Sequence, residues 1–219
     1  MKKVAEKHGM KCLLHEKPFE GVNGSGKHNN WSIATDKGEN LFSPGKTPME
    51  NAQFLLFLTA VIKAVDENQD LLRCIVASAG NDHRLGANEA PPSIMSIYVG
   101  DELDAILNAI RLGTDYEDAK KKKMTIGVDV LPPIPKDSTD RNRTSPFAFT
   151  GNRFEFRSVG SNLSISGPNT ILNAILADAL KSFADELEKS SNFDSDLHKL
   201  IKREITNHWK ILFNGNGYG

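Results

Sequence analysis

The chain is expected to fold as an α+β domain, an antiparallel sheet flanked by helices, and three features of its order predict this. Apolar residues recur at helical spacing over 48–68, 101–111 and 169–189. Short alternating segments lie between them, at 29–35, 93–99 and 146–157. Strands and helices follow one another without the strand–helix–strand rhythm that builds a parallel sheet.

At 219 residues the chain is long enough for one sizeable domain with its own core. A formal charge of −1, with 25% charged residues, excludes a general affinity for nucleic acid or an anionic membrane. No run approaches the ~20 apolar residues of a membrane span, so no membrane partner is expected. Cys12 and Cys74 are the only cysteines, too few for a disulfide framework, and they fit a reducing, cytoplasmic location. Met1–Gly9 is polar and has no signal-peptide core.

Taken in order, residues 2–8 read as the end of a helix stopped by Gly9. Met10–Lys17 reads as a strand entering a glycine-rich turn, and Asn29–Thr35 as its antiparallel partner. In that partner Trp31 and Ile33 share one face, Asn30 and Ser32 the other. Pro48–Asn68 carries Phe54, Leu55, Leu58, Val61, Ile62 and Val65 on one broad face, the mark of a buried helix. A second helix follows over 69–79, then a polar loop from Gly80 to Ala90. Ser93–Val99 reads as a strand, and Asp101–Arg111 as a helix with an acidic first turn. The span 113–145 is a long excursion holding a strand at 124–130, the run Lys120–Lys123 and prolines 132, 133 and 135. Pro146–Arg157 reads as two short strands about Gly151. Asn169–Lys189 and 195–212 are helical.

Four groups of residues carry possible chemistry. In Asn23-Gly24-Ser25-Gly26-Lys27-His28, a tight turn can aim its N–H groups at an anion, and the imidazole beside it can meet a metal; a plain hairpin turn is the other reading. In Asn152–Arg157, strand alternation puts Arg153, Glu155 and Arg157 on one face and Phe154 and Phe156 on the core side. That column is either a surface salt-bridge ladder or a carboxylate for a divalent cation flanked by guanidiniums for anions. Asn81–Pro92 gathers Arg84 and Glu89 in a loop, where both could simply cap helices. Asp140–Thr144 sets Arg141 and Arg143 after the proline cluster, as a basic turn or a phosphate clamp. Together they suit ATP-dependent activation of a carboxylate, in which cations neutralise a transferred phosphoryl group.

These runs, in this order and spacing, resemble the catalytic domain of glutamine synthetase. Lys17-Pro18-Phe19 leads into Asn23–His28, followed by Asn81–Pro92, Asn142-Arg143 and Arg153–Arg157. The type III branch is indicated by Asn29-Asn30-Trp31-Ser32, Asn81-Asp82-His83-Arg84 and Thr144–Asn152. The resemblance covers essentially all of the chain. It implies a sheet that forms part of that family's catalytic barrel. It implies that His28 and Glu155 ligate Mg²⁺ or Mn²⁺ bridging the ATP phosphates. Asn23 and Gly24 would hold glutamate, with Arg84 and Arg157 on its carboxylates. Glu89 would lie on a closing loop and receive the ammonium proton. Arg143 and Arg153 would steady the phosphates, and Ser32 would lie near the nucleotide. The substrates implied are glutamate, ammonia and ATP, and the assembly a dodecamer of stacked rings. A non-catalytic scaffold, or a ligase joining glutamate to another amine, are the competing functions.

Two positions depart from the family pattern. A second arginine expected after the Asn-Arg pair falls near Ala148, and Asn30 stands where a second histidine is common. The family's further metal-binding glutamates have no counterpart in residues 1–22, where Glu6, Glu16 and Glu20 lack the paired spacing. The N-terminal β-grasp domain, the first catalytic strands and the C-terminal helical region also have no counterpart. The chain therefore reads as an internal fragment, 1–219, of the catalytic domain, expected to be inactive alone and to expose sheet edges.

Overall fold

The computed structural model describes residues 1–114, 145–215 and 217, together with the backbone at 123–124 and 134–135. The readings of Lys120–Lys122, of a strand over 125–130 and of Asp140–Thr144, Arg143 included, lie outside the described residues.

The helices are α1 (Lys2–Lys7), α2 (Ala52–Glu67), α3 (Gln69–Cys74), α4 (Ala79–Arg84), α5 (Asp101–Leu112), α6 (Ser166–Leu187) and α7 (Phe193–Asn207). The strands are β1 (Gly26–Trp31), β2 (Ile97–Tyr98), β3 (Lys123–Met124), β4 (Ile134–Pro135), β5 (Phe147–Phe149) and β6 (Phe154–Gly160). Single 3₁₀ turns at Pro48–Glu50 and Trp209–Ile211 precede α2 and follow α7. The main sheet has the order β1-β6-β5-β2, antiparallel except for the β2–β5 pair, which is parallel; β3 and β4 form a separate antiparallel pair. The sheet is thus mixed rather than wholly antiparallel, within the expected α+β class.

The β5–β6 hairpin is the simplest element to derive. Phe147, Phe149, Phe154 and Phe156 alternate with other residues, and the register pairs Phe147 with Phe156 and Phe149 with Phe154. All four rings therefore lie on one face. Phe147 and Phe154 stack with centroids 4.8 Å apart, and Phe42 meets Phe154 edge-on at 5.2 Å. Trp31 of β1 joins this cluster.

The helical layer completes the same core. Asn51 caps α2 by accepting from the Phe54 N–H, and the apolar face read from sequence is buried as expected. α6 supplies Leu172, Ile175, Leu176, Ala179 and Phe183, and α7 supplies Leu197, Leu200, Ile201 and Ile205. Among the described residues, no helix is long and apolar enough to cross a membrane.

Three expected elements differ. Met10–Lys17 forms no strand, and β1 begins at Gly26 and pairs with β6 instead. Leu13 and Leu14 are exposed neighbours rather than alternate residues of one buried face. The carbonyls of Leu14 and Glu16 are taken by the Ser161 hydroxyl and the Ser25 N–H, so no ladder forms there. The loop expected over 80–90 begins as helix α4, because Ser78 accepts from the Asn81 N–H and starts a turn that propensity alone does not favour. The strand expected over 93–99 shortens to Ile97–Tyr98.

Candidate active site

The β1–β6 ladder sets out the candidate residues along one line. Gly26 pairs with Gly160 at one end and Trp31 with Phe154 at the other, about 17 Å apart at the usual rise of an antiparallel strand. The register shifts once between them. Gly26 and Lys27 oppose Gly160 and Val159, whereas Asn29–Trp31 oppose Phe156–Phe154, so Arg157 and Ser158 together face His28. Such a bulge re-aims side chains locally. Alternation along β1 buries Asn29 and Trp31 and puts His28 on the face of Asn30, the partner of Glu155.

His28 and Glu155 are brought together. Nδ1 of His28 lies 3.0 Å from Oε1 of Glu155. The other carboxylate oxygen accepts from Arg157 Nε at 2.8 Å. Burial works against ionisation of Glu155, but the hydrogen bond and charge of Arg157, aided by His28, outweigh it and hold the carboxyl below its usual range. A separation of 3.0 Å is also that of two neighbouring ligands on an octahedral cation with bonds of about 2.1 Å. An imidazole and a carboxylate are suitable donors for Mn²⁺ or Mg²⁺, so the pair fits as part of a ligand set. Among the described residues no third histidine, cysteine or acidic side chain completes it.

Arg84 and Arg157 are both buried. Arg84 donates to the carbonyls of Arg157 (3.1 Å) and Val159 (3.4 Å) and to Asn81 Oδ1 (3.0 Å). Its guanidinium passes directly beneath Gly26, and its stem beneath Gly24, where a Cβ would collide with it. The glycines of the turn thus admit an arginine, a role distinct from the anion cradle read from sequence. Asn81, quoted in the sequence motif without a role of its own, is the hub of this arrangement. It is fully buried and donates to the carbonyls of Val76 (2.7 Å) and Ser158 (2.9 Å) while accepting from Arg84.

The remaining candidates sit around this core. Asn23 is exposed and Gly24 half-buried, at the Gly160 end of the ladder. Glu89 is exposed on the loop after α4. Its neighbour Asn88, in the left-handed region at φ 53°, donates to the Val22 carbonyl at 2.7 Å and holds that loop beside the glycine turn. Ser32 and Arg153 are the residues next beyond the last ladder pair, at the opposite end, and both are exposed. Ala148, where an arginine is expected by resemblance, pairs directly with Glu155 and brings no charge to it.

A family model described as the glutamine synthetase catalytic domain matches residues 1–96. A type-3 glutamine synthetase of Dictyostelium discoideum is 56% identical over 221 residues, covering 100% of this chain and 30% of that protein. Glutamine synthetases of Butyrivibrio fibrisolvens and Bacteroides fragilis are 54% and 50% identical, again over 100% of this chain and 31% of theirs. The chain therefore spans about a third of the length of these relatives. With the motifs in order, the ladder joining His28 to Glu155 and identity sustained from end to end, the chain belongs to the glutamine synthetase family, in its type III branch.

Proposed function

We propose that this chain forms part of the active site of an ATP-dependent ligase that joins ammonia to glutamate. The observation that carries this reading is the pairing of His28 with Glu155 midway along the β1–β6 ladder. The glutamate candidates lie towards one end of that ladder and the nucleotide candidates, Ser32 and Arg153, at the other. That order suits a linear arrangement of amino acid, transferred phosphoryl group and nucleotide.

A carboxylate is a poor electrophile, so it must first gain a leaving group. An oxygen of the glutamate side-chain carboxylate attacks the terminal phosphorus of ATP; a P–O bond forms and ADP leaves. Ammonia then attacks the acyl carbon of the γ-glutamyl phosphate, phosphate departs with the original carboxylate oxygen, and glutamine results. A divalent cation, Mg²⁺ or Mn²⁺, held in part by His28 and Glu155 would neutralise charge on the phosphates.

The chain's own residues do the rest. Arg84 and Arg157 supply positive charge for the glutamate carboxylates, beside Asn23 and Gly24. Glu89, on the loop held at Val22, takes the proton released by the attacking amine. Arg153, with Arg143, steadies the phosphates. The whole protein would work in the cytoplasm as a homo-oligomer, a dodecamer of stacked rings. This chain alone would be inactive, since among the described residues His28 and Glu155 are only part of a ligand set. The cluster of buried and half-buried charges at Arg84, Glu155 and Arg157 weighs against a non-catalytic scaffold, which needs none of them.

The test supplies glutamate and ATP to the whole protein with ammonia, or instead with a bulky amine such as a polyamine. Glutamine and phosphate formed one for one with ammonia support the reading. ATP hydrolysis with the bulky amine alone overturns it.

A further inference from the structure

Glu16 carries a buried carboxylate that the proposed chemistry does not use, with 4% of the residue exposed. Oε1 accepts from the Asn162 backbone N–H at 2.8 Å, and Oε2 from the Asn162 side-chain amide at 3.1 Å. Its main-chain carbonyl accepts from the Ser25 N–H at 2.7 Å, inside the glycine turn. Ser161 ties the same segments a second time, its N–H to the Ser25 carbonyl at 3.2 Å and its hydroxyl to the Leu14 carbonyl at 2.8 Å.

Three glycines make room for this residue. A Cβ on Gly160 would stand 2.6 Å from its Cγ, and one on Gly80 would stand 2.9 Å from Oε2. A Cβ on Gly24 would strike its carbonyl oxygen. Glu16 is thus wedged between the turn, the start of α4 and the end of β6, the three elements that carry His28, Arg84 and Glu155.

We propose that Glu16 is a positioning residue that fixes the glycine turn 23–26 against β6 and so sets where β1 starts and where it carries His28. The metal-binding part of this rests on the reading of His28 and Glu155 given above. A carboxylate suits the task because Asn162 presents two donors to it; a glutamine would turn its own N–H₂ towards one of them.

That donor arrangement supplies a test in four forms of the whole protein: wild type, Glu16→Gln, Asn162→Asp, and the double variant. Asn162 is exposed, so its substitution leaves the core intact. In the double variant the glutamine accepts from the N–H of residue 162 and donates to the new carboxylate, restoring complementarity. Hydrogen exchange over residues 23–28 should quicken about tenfold or more in each single variant and return in the double, with exchange across α2 unchanged. Mn²⁺ affinity, read by the electron-spin signal of the free ion, should weaken about tenfold in the single variants and recover likewise. Unchanged exchange at 23–28, quickening spread equally over α2, or failure of the double variant to restore it would overturn the proposal. If Glu155→Gln binds Mn²⁺ as well as wild type, the reading of the metal pair fails, and the exchange cycle still decides the role of Glu16.

Discussion

His28 and Glu155 are 127 residues apart in sequence, and their Nδ1 and Oε1 atoms are 3.0 Å apart in space. Alternation along β1 puts His28 and Asn30 on one face and buries Asn29 and Trp31 on the other; Asn30 pairs with Glu155, so His28 shares the Glu155 face, with the bulge at Arg157–Ser158 directly opposite it.

His28 is half exposed, so His28→Ala should change unfolding free energy by no more than about 0.5 kcal/mol. Glu155→Gln removes the charged acceptor of buried Arg157 and should cost about 2 kcal/mol. Urea unfolding of both variants checks the difference. Equal effects would mean that the Glu155–Arg157 contact carries no weight.

The pH dependence follows from the lowered carboxyl of Glu155. Its folded value lies below the ordinary 4.5, so the folded state binds fewer protons than the unfolded state in that interval. The stabilisation is therefore complete above about pH 5 and lost as pH falls through the folded value. Urea midpoints from about pH 6 down to about pH 3 should fall more steeply for wild type than for Glu155→Gln. Parallel curves would contradict this.

Gly26→Ala should displace the Arg84 guanidinium from beneath the turn and cost about 2–4 kcal/mol. Arg84→Lys should not substitute well, because an ammonium cannot span the Asn81, Arg157 and Val159 oxygens together. Thermal melting of both variants measures this. A Gly26→Ala protein as stable as wild type would mean that Arg84 is not fixed there.

Two hydrogen bonds join β1 to α6. Asn29 donates to Asn169 at 2.8 Å and the Trp31 indole donates to Asn173 at 2.9 Å. Asn169→Ala should cost about 1–2 kcal/mol, since it strips the partner of buried Asn29. A double-mutant cycle with Asn29→Ala should show coupling of about 1 kcal/mol. Additive effects would show that the contact is incidental.

Much of this arrangement is legible in sequence, for identifiable reasons. Alternating phenylalanines at 147, 149, 154 and 156 about Gly151 specify a hairpin and put Glu155 on the polar face. The apolar stripe from Phe54 to Val65 specifies a buried helix. Met10–Lys17 misleads because Cys12-Leu13-Leu14 has strand-like composition, whereas a strand needs a partner, and β6 takes β1 instead. The bulge is invisible because it depends on register between distant segments. Glu16 is overlooked because spacing rules look for paired acids, whereas its partners are a distant amide and glycines that admit it by lacking side chains. Arg84 is singled out for its charge; that the turn's glycines exist to pass it cannot be read without the fold.

The proposed function puts this chain in a site that activates a carboxylate by phosphorylation. Glutamate labelled with ¹⁸O in its side-chain carboxylate, supplied with ATP and ammonia to the whole protein, tests it most directly. One labelled oxygen is expected in each phosphate released, with that transfer lost in Glu155→Gln. Phosphate free of label would show that ATP is cleaved without forming an acyl phosphate, and would contradict it.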